Sequence, residues 1–257
     1  MQKFNYHSHT ALCKHAVGTY QEYVEAAILA GLEVIGFSDH VPYQNISLPD
    51  RMEYFQKSEY EEAVLALKEK YAEQITVKLG FECEFYPEYL KYYQQLAKET
   101  DYLILGQHYN GIKGVDFWLG CNDQQVLEYA NLVVQGLDTG LFKYLAHIDY
   151  FMISRNSFNQ TCQQAVSQIA QACLRNDVVI EINLKGKTLG KKMIDGKLQY
   201  CYPLRDVFQI IADYGCKCVY GQDTHNPQYY LNFYQDIAEV KEILAGLDLN
   251  IIEDFTV

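Results

Sequence analysis

A chain of 257 residues, 49% hydrophobic and 21% charged, is long enough to bury a sizeable core and fits one large α/β domain spanning residues 1–257. Its formal net charge of -12 makes it a poor partner for nucleic acid or an anionic membrane, both of which demand a basic face, and it would repel an anionic small substrate unless something local and cationic draws that substrate in. No apolar run approaches the ~18 residues of a membrane span, no signal-peptide core opens the chain, and the eight cysteines are scattered without a CxxC pair, so reduced thiols in a cytoplasmic protein are expected.

Strand and helix signals alternate along the chain. "KFNYH" reads as a first strand. In "TYQEYVEAAILAG" the apolar residues have helical spacing, Thr19 and Glu22 form a capping box, and Gly31 is the stop. "EVIGFS" (33–38) is the second strand, and a helix over 58–72 follows, with Ser58 and Glu61 as its capping box. "ITVKLGF" (75–81) is a strand, "EYLKYYQQLAKE" a helix and "DYLILG" (101–106) a strand. Residues 123–138 are helical, "FKYLA" (142–146) is a strand, and 159–175 are helical. "DVVIEIN" (177–183) is a strand, and "PLRDVFQIIADYG" is a helix with Pro203 in its first turn and Gly215 as its end. "CKCVYG" (216–221) is the seventh strand, and a last helix fills much of 227–247. Seven short strands, each followed by a helix, predict a parallel sheet, most simply a distorted TIM-like (β/α)7 barrel. A doubly wound open sheet is the runner-up. It lacks the glycine-rich phosphate loop that such a sheet would place after strand one.

The seven histidines then acquire addresses. His7 and His9 end strand one and His15 lies in the loop beyond it; His40 follows strand two, His108 strand four, His147 strand five and His225 strand seven. Strand three carries Glu82 at the same level and strand seven adds Asp223. One such histidine would be an ordinary loop residue. All seven at the carboxyl ends of strands converge on a barrel mouth, where active sites lie. Imidazoles gathered with carboxylates are a common setting for Zn²⁺, Mn²⁺ or Fe²⁺. His7 and His9, Glu82 and Glu84, and Asp223 and His225 each have the i, i+2 spacing that shares a strand face. Asp39 and His40 are adjacent, so His40 is taken as the ligand and Asp39 as its supporting neighbour or a proton carrier. Nine candidate ligands exceed what one ion takes, which implies two to three divalent ions bridged by carboxylates.

"HSHT", "SDH", the strand-three glutamate, the isolated histidines after strands four and five and the late "DTH" together resemble the PHP (polymerase and histidinol phosphatase) family, over almost the whole chain from His7 to His225. The long "HSHTALCKHAVGTYQEYVEAA" opening and "EINLKGKTLGKK" look most like its stand-alone histidinol-phosphate phosphatase branch. The resemblance implies a trinuclear site in which His7, His9, Glu82 and Asp223 hold one ion. Glu82, His108 and His147 would hold a second, and His15, His40 and His225 a third. It also implies hydrolysis of a phosphomonoester, L-histidinol phosphate, by in-line attack of a hydroxide bridging the ions, with Glu82 and Asp223 as the carboxylates of the catalytic centre. Three ions would make the mouth cationic on an acidic molecule.

Substrate contacts are expected from the mouth loops. Arg155, Lys185 and Lys187, with Lys191 and Lys192 beyond, are candidates for the phosphate. Glu84, Asp116 and Asp149 are candidates for the substrate amine, and Tyr109, Tyr150 and Phe117 for stacking on imidazole. "NLKGKTLGKK" departs from the family pattern, which would more usually show Asn-Thr and a nearby arginine, and this bears on the phosphate contacts. Rival readings are a PHP-type phosphodiesterase or 3′–5′ exonuclease, a phosphatase of another small ester, and a metal-dependent binding protein without activity. The acidic charge and the intact ligand set argue against the first and the last.

Overall fold

The computed structural model describes residues 1–257. Strand β1 (Phe4–Asn5) leads to α1 (Tyr20–Leu29), β2 (Val34–Phe37) to α2 (Lys57–Lys70), β3 (Thr76–Cys83) to α3 (Leu90–Glu99) and β4 (Tyr102–Leu105) to α4 (Asp123–Asp138). β5 (Tyr144–Leu145) leads to α5 (Gln160–Asn176) and β6 (Val179–Asn183) to α6 (Arg205–Tyr214), with an antiparallel hairpin of β7 (Lys191–Ile194) and β8 (Lys197–Tyr200) inserted before α6. β9 (Lys217–Gly221) leads to α7 (Phe233–Ile243). The seven strand-to-helix units are those the sequence predicts. An eighth parallel strand, β10 (Asn250–Ile251), extends the sheet to the order β1-β2-β3-β4-β5-β6-β9-β10. Its two residues pair in parallel with Lys217 and Cys218 of β9.

β1 does not pair with β10. The curled sheet instead closes above β10, where Ser8 and Thr224 form a parallel bridge, with His9 N–H donating to the Thr224 carbonyl at 2.9 Å. Below that point the side chains of Gln2 and Asn5 accept from the Tyr220 and Gln222 N–H groups of the β9 segment. The result is a distorted (β/α)7-type barrel whose seam is partly built from side chains.

Local chemistry explains most boundaries. The Thr19–Glu22 capping box starts α1, Asn122–Gln125 forms another at α4, and Gly215 closes α6 at φ 68°. Three expectations are corrected. Ser58 and Glu61 do not cap α2: a Glu53–Gln56 box caps the 3-10 turn Tyr54–Gln56, and α2 runs on directly from it. Pro203 lies before α6, whose N-cap is Leu204. The last helix is split, because Pro227 and the Asn226 side-chain cap start a 3-10 turn, Pro227–Asn232, ahead of α7.

A cluster of 64 buried apolar residues fills the space around the sheet, while a separate cluster of eight sits at the base of the barrel interior. In that base, Gly36 and Gly80 leave the space that the Tyr102 ring occupies, since a Cβ at either position would overlap it. All eight cysteines are buried and free. No helix is long and apolar enough to cross a membrane.

Candidate metal centre and active cleft

The carboxyl ends of the strands bring the seven imidazoles around one buried carboxylate, Glu82, which is 1% exposed. β3 presents Glu82 inward, and Gly106, directly beyond β4, makes room for it: a Cβ there would overlap the carboxylate. His7 and His9 leave β1 on one face, as their spacing predicts, with their Nε2 atoms 3.1 Å apart. Both Nε2 atoms lie 3.4 Å from Glu82 Oε2, and they lie 3.6 and 3.4 Å from Asp223 Oδ1. Donors on an ion with bonds of ~2.0–2.2 Å in tetrahedral array are about 3.3–3.6 Å apart. His7, His9 and Glu82 already stand at nearly that spacing, and Asp223 does so relative to both imidazoles.

The other Glu82 oxygen, Oε1, meets His147 Nε2 at 2.8 Å and His108 Nε2 at 3.6 Å. His40 Nδ1 lies 3.1 Å from Oε2. His15 and His225 oppose their Nε2 atoms at 2.9 Å, and with His40 they offer three donor atoms within 4.8 Å of one another. His40 therefore stands between two donor groups, one with His15 and His225, the other with Glu82 and His108. Cys13 joins His9 and His225 in a further group that sequence reasoning missed; its two-residue distance from His15 was the available signal.

Buried carboxylates fix several rings from behind. His7 Nδ1 meets Glu181 Oε2 at 2.7 Å and His108 Nδ1 meets Glu84 Oε1 at 3.1 Å, which leaves each Nε2 facing Glu82. His9 turns Nδ1 towards Asp39 Oδ1 at 3.5 Å. Burial opposes the charge on Glu82, but His7, His108, His40 and the hydrogen bond from His147 hold its carboxyl well below the usual range. Burial also opposes the charge on Asp223, and Lys185, His7, His9 and His225 hold it well below its usual value. His108 is disfavoured as a cation by burial, yet Glu82 and Glu84 raise it to about 9. Two donor residues, His147 at φ 29° and Asp223 at φ 46°, occupy left-handed backbone that costs a non-glycine residue roughly 1–2 kcal/mol.

The donor set suits divalent transition ions. His9 Nδ1, His40 Nδ1 and His147 Nδ1 are buried without a hydrogen-bond partner. Each such atom costs about 1–3 kcal/mol when nothing meets it. Of the three, His40 Nδ1 points into the donor cluster, 3.1 Å from Glu82 Oε2, and an unsatisfied imidazole nitrogen there beside ionised carboxylates fits an ion better than a polar core.

A family model for the PHP domain matches residues 5–185. The chain belongs to the PHP domain family. A protein of Deinococcus radiodurans named "probable histidinol-phosphatase" is 28% identical over 255 residues, covering 92% of each chain. One of Schizosaccharomyces pombe with the same name is 22% identical over 264 residues, covering 89% of this chain and 82% of its own. The solved histidinol phosphate phosphatase of Lactococcus lactis, complexed with zinc, L-histidinol and phosphate, superimposes with a TM-score of 0.73 at 17% identity, covering 98% of this chain and 95% of its own. The likeness to that structure is one of fold. Family and relatives together make this PHP protein a phosphatase enzyme.

Above the donors the PHP barrel opens into a cleft of about 380 Å³, within the usual range for small ligands. Of the sequence-nominated substrate residues, Lys185, Tyr109, Asp116 and Tyr150 line it. Lys185 Nζ reaches within 3.0 Å of His225 Nδ1 and 3.5 Å of Asp223 Oδ1. Others are corrected by their contacts. Arg155 donates to the Cys121 carbonyl and to Asp123, both at 2.6 Å, which holds the guanidinium on the α4 side. Lys187 turns away to Asp236 and Glu239, and Lys192 donates to the Ile153 carbonyl. Lys191 stacks over the Tyr200 ring.

Phe117 is wholly buried against Tyr129. Glu84 is spent on Arg51, with two contacts at 2.8 and 2.9 Å, and on His108. Asp149 accepts from the Leu204 N–H at 2.7 Å, and burial raises its carboxyl to about 7. Asp39 accepts from Thr10 and from the His40 N–H and does not border the cleft. Sequence reasoning also missed Glu181, Arg51 and Asp50. Glu181 was readable as an inward charge in "VVIEIN"; Arg51 and Asp50 sit in an irregular loop that has no period to read.

Proposed function

We propose that this protein hydrolyses L-histidinol phosphate to L-histidinol and phosphate with two to three divalent ions of the zinc, manganese or iron type. The observation that carries the reading is the close set of His7 Nε2, His9 Nε2 and Glu82 Oε2, 3.1 to 3.4 Å apart, with Asp223 Oδ1 at 3.6 and 3.4 Å from the two imidazoles. In this reading those four hold one ion, Glu82 with His108 and His147 a second, and His15, His40 and His225 a third. When bound, the ions act as Lewis acids on the phosphoryl oxygens and on the attacking water.

The chain's own groups prepare that chemistry. Glu181 and Glu84 hold the proton of His7 and His108 on Nδ1 and so keep each Nε2 lone pair directed at the centre. Asp39 braces His9 and the turn at His40. Lys185, half-buried at the cleft wall, offers an ammonium to a phosphoryl oxygen. The same wall reconciles an anionic substrate with an acidic molecule. The chain's charge is spread over its exterior, while the lysine and the ions face inward.

Two relatives named for this activity support the choice of substrate. The test is turnover by metal-analysed protein across histidinol phosphate, other small phosphomonoesters, a phosphodiester and single-stranded DNA. Selective turnover of histidinol phosphate is expected, with Glu82→Gln lowering kcat about 10³-fold or more. Preferential phosphodiester cleavage would overturn the reading in favour of a nuclease.

A further inference from the structure

A second cavity borders the same run of chain as the catalytic cleft. Lys185, Gly186, Thr188 and Leu189 line the cleft, whereas Lys187 lines a separate space of about 500 Å³. The two share no lining residue. The other walls of the second cavity are the β7–β8 hairpin, the start of α6 and the later turns of α7. Its volume suits a small metabolite.

Charges of both signs are left over in this cavity. Lys187 is neutralised there by Asp236 at 2.8 Å and by Glu239. Arg205 is half-buried, yet its guanidinium has neither a hydrogen bond nor an ion pair. It is also the first residue of α6, where the helix dipole disfavours a cation, so its charge does not serve the helix. Glu242, on α7, is equally unpaired. Lys191 lies over the Tyr200 ring, 5.2 Å from its centroid, and has no carboxylate partner. Leu198 and Ile243 add apolar surface. Arg205 and Glu242 thus line one space without pairing with each other. A guanidinium fork suits a carboxylate, and a carboxylate suits an ammonium group. A phosphate would set its charge against Glu239 and Glu242, and a simple amine would leave Arg205 unmet. A ligand that carries both charges meets both groups.

We propose that this second cavity is a binding site for a small zwitterion of the α-amino acid class, distinct from the catalytic cleft. Arg205 takes the ligand's carboxylate, with Lys191 adding positive charge to the same cavity. Glu242 takes its ammonium group, and Tyr200, Leu198 and Ile243 meet its side chain. The site stands whether or not the cleft hydrolyses histidinol phosphate.

The test is calorimetric titration of the metal-loaded protein with each of the common L-amino acids. At least one is expected to bind saturably, with a single site per chain. Its methyl ester and its N-acetyl derivative, each lacking one of the two charges, should bind about tenfold more weakly or worse. Arg205→Gln and Glu242→Gln should each weaken binding by about the same factor, with thermal melts and unchanged metal content confirming that both variants fold. Lys185→Ala, which alters the catalytic cleft, should leave this binding unchanged. No saturable binding by any amino acid would overturn the site. So would an ester and an N-acetyl derivative that bind as tightly as the free amino acid. Binding kept in both glutamine variants but lost in Lys185→Ala would put the ligand in the catalytic cleft and overturn the site as well.

Discussion

The two ends of the barrel are made by the same strands and follow opposite rules. At the base, Phe4, Tyr6, Tyr102, Ile104, Tyr144, Val179 and Val219 pack together, and Ile252, Phe255 and Val257 of the C-terminal segment cover them. At the mouth, a few residues further along each strand, the interior holds Glu82, Glu181, Asp223 and the imidazoles. The base satisfies itself by burial and ring packing. The mouth keeps ionised groups dry and leaves imidazole nitrogens without partners, an arrangement that stands when something else supplies the missing charge. The hinge between the regimes is visible in β1. Asn5 and Ser8 both reach the Tyr230 hydroxyl although they are three residues apart, so the strand's alternation slips between them. That slip puts Tyr6 in the apolar cluster and His7 among the carboxylates.

The contrast can be broken at either end. Replacing Glu181 with glutamine should leave the fold intact but lower metal affinity about 10–100-fold, because His7 loses the carboxylate that fixes its ring; unchanged affinity in a metal-competition titration would mean that the mouth does not depend on that support. Next comes pH. His108 is raised to about 9, so the metal-free protein holds a proton there at neutral pH, and an ion must expel it. Apparent metal affinity should therefore climb about tenfold per pH unit, for each proton expelled, from pH ~6.5 to about 9. The sign for stability is opposite. A histidine whose folded pKa exceeds its unfolded value of ~6.5 contributes stability that is complete below that value and lost as pH rises through about 9. Metal-free protein should lose stability over that window, and calorimetry showing none would remove the ionic account of the mouth. The smallest effect belongs to the base. Gly80→Ala would push a methyl group into the Tyr102 ring and should cost about 1–3 kcal/mol, lowering Tm by several degrees with metal content unchanged. Loss of metal in that variant would show that base and mouth are one unit.

How much could be read in advance follows from the range of each interaction. Strand and helix positions were legible because alternation, caps and turn residues act over a few residues, as the Thr19–Glu22 box and Gly215 illustrate. Where they failed, at Ser58 and Pro203, a neighbouring turn competed for the same residues. The histidines were legible as a set because each follows a strand. Arg155 and Lys187 were not legible as to direction. Both carry the right charge in the right loops, but acids that claim them, Asp123 for Arg155 and Asp236 for Lys187, lie 32 and 49 residues away.

The sequence alone determined the alternating architecture, the level of the barrel at which the chemistry gathers and the kind of ligand gathered there, because strand period and residue type are local properties. Only the tertiary structure decided that Glu181, Glu84 and Asp39 stand behind the rings of His7, His108 and His9. It also decided that Asp50 and Asp116 face one cleft. Those relations join groups up to 174 residues apart, and their directions are set by how the sheet curls and which side chains make way.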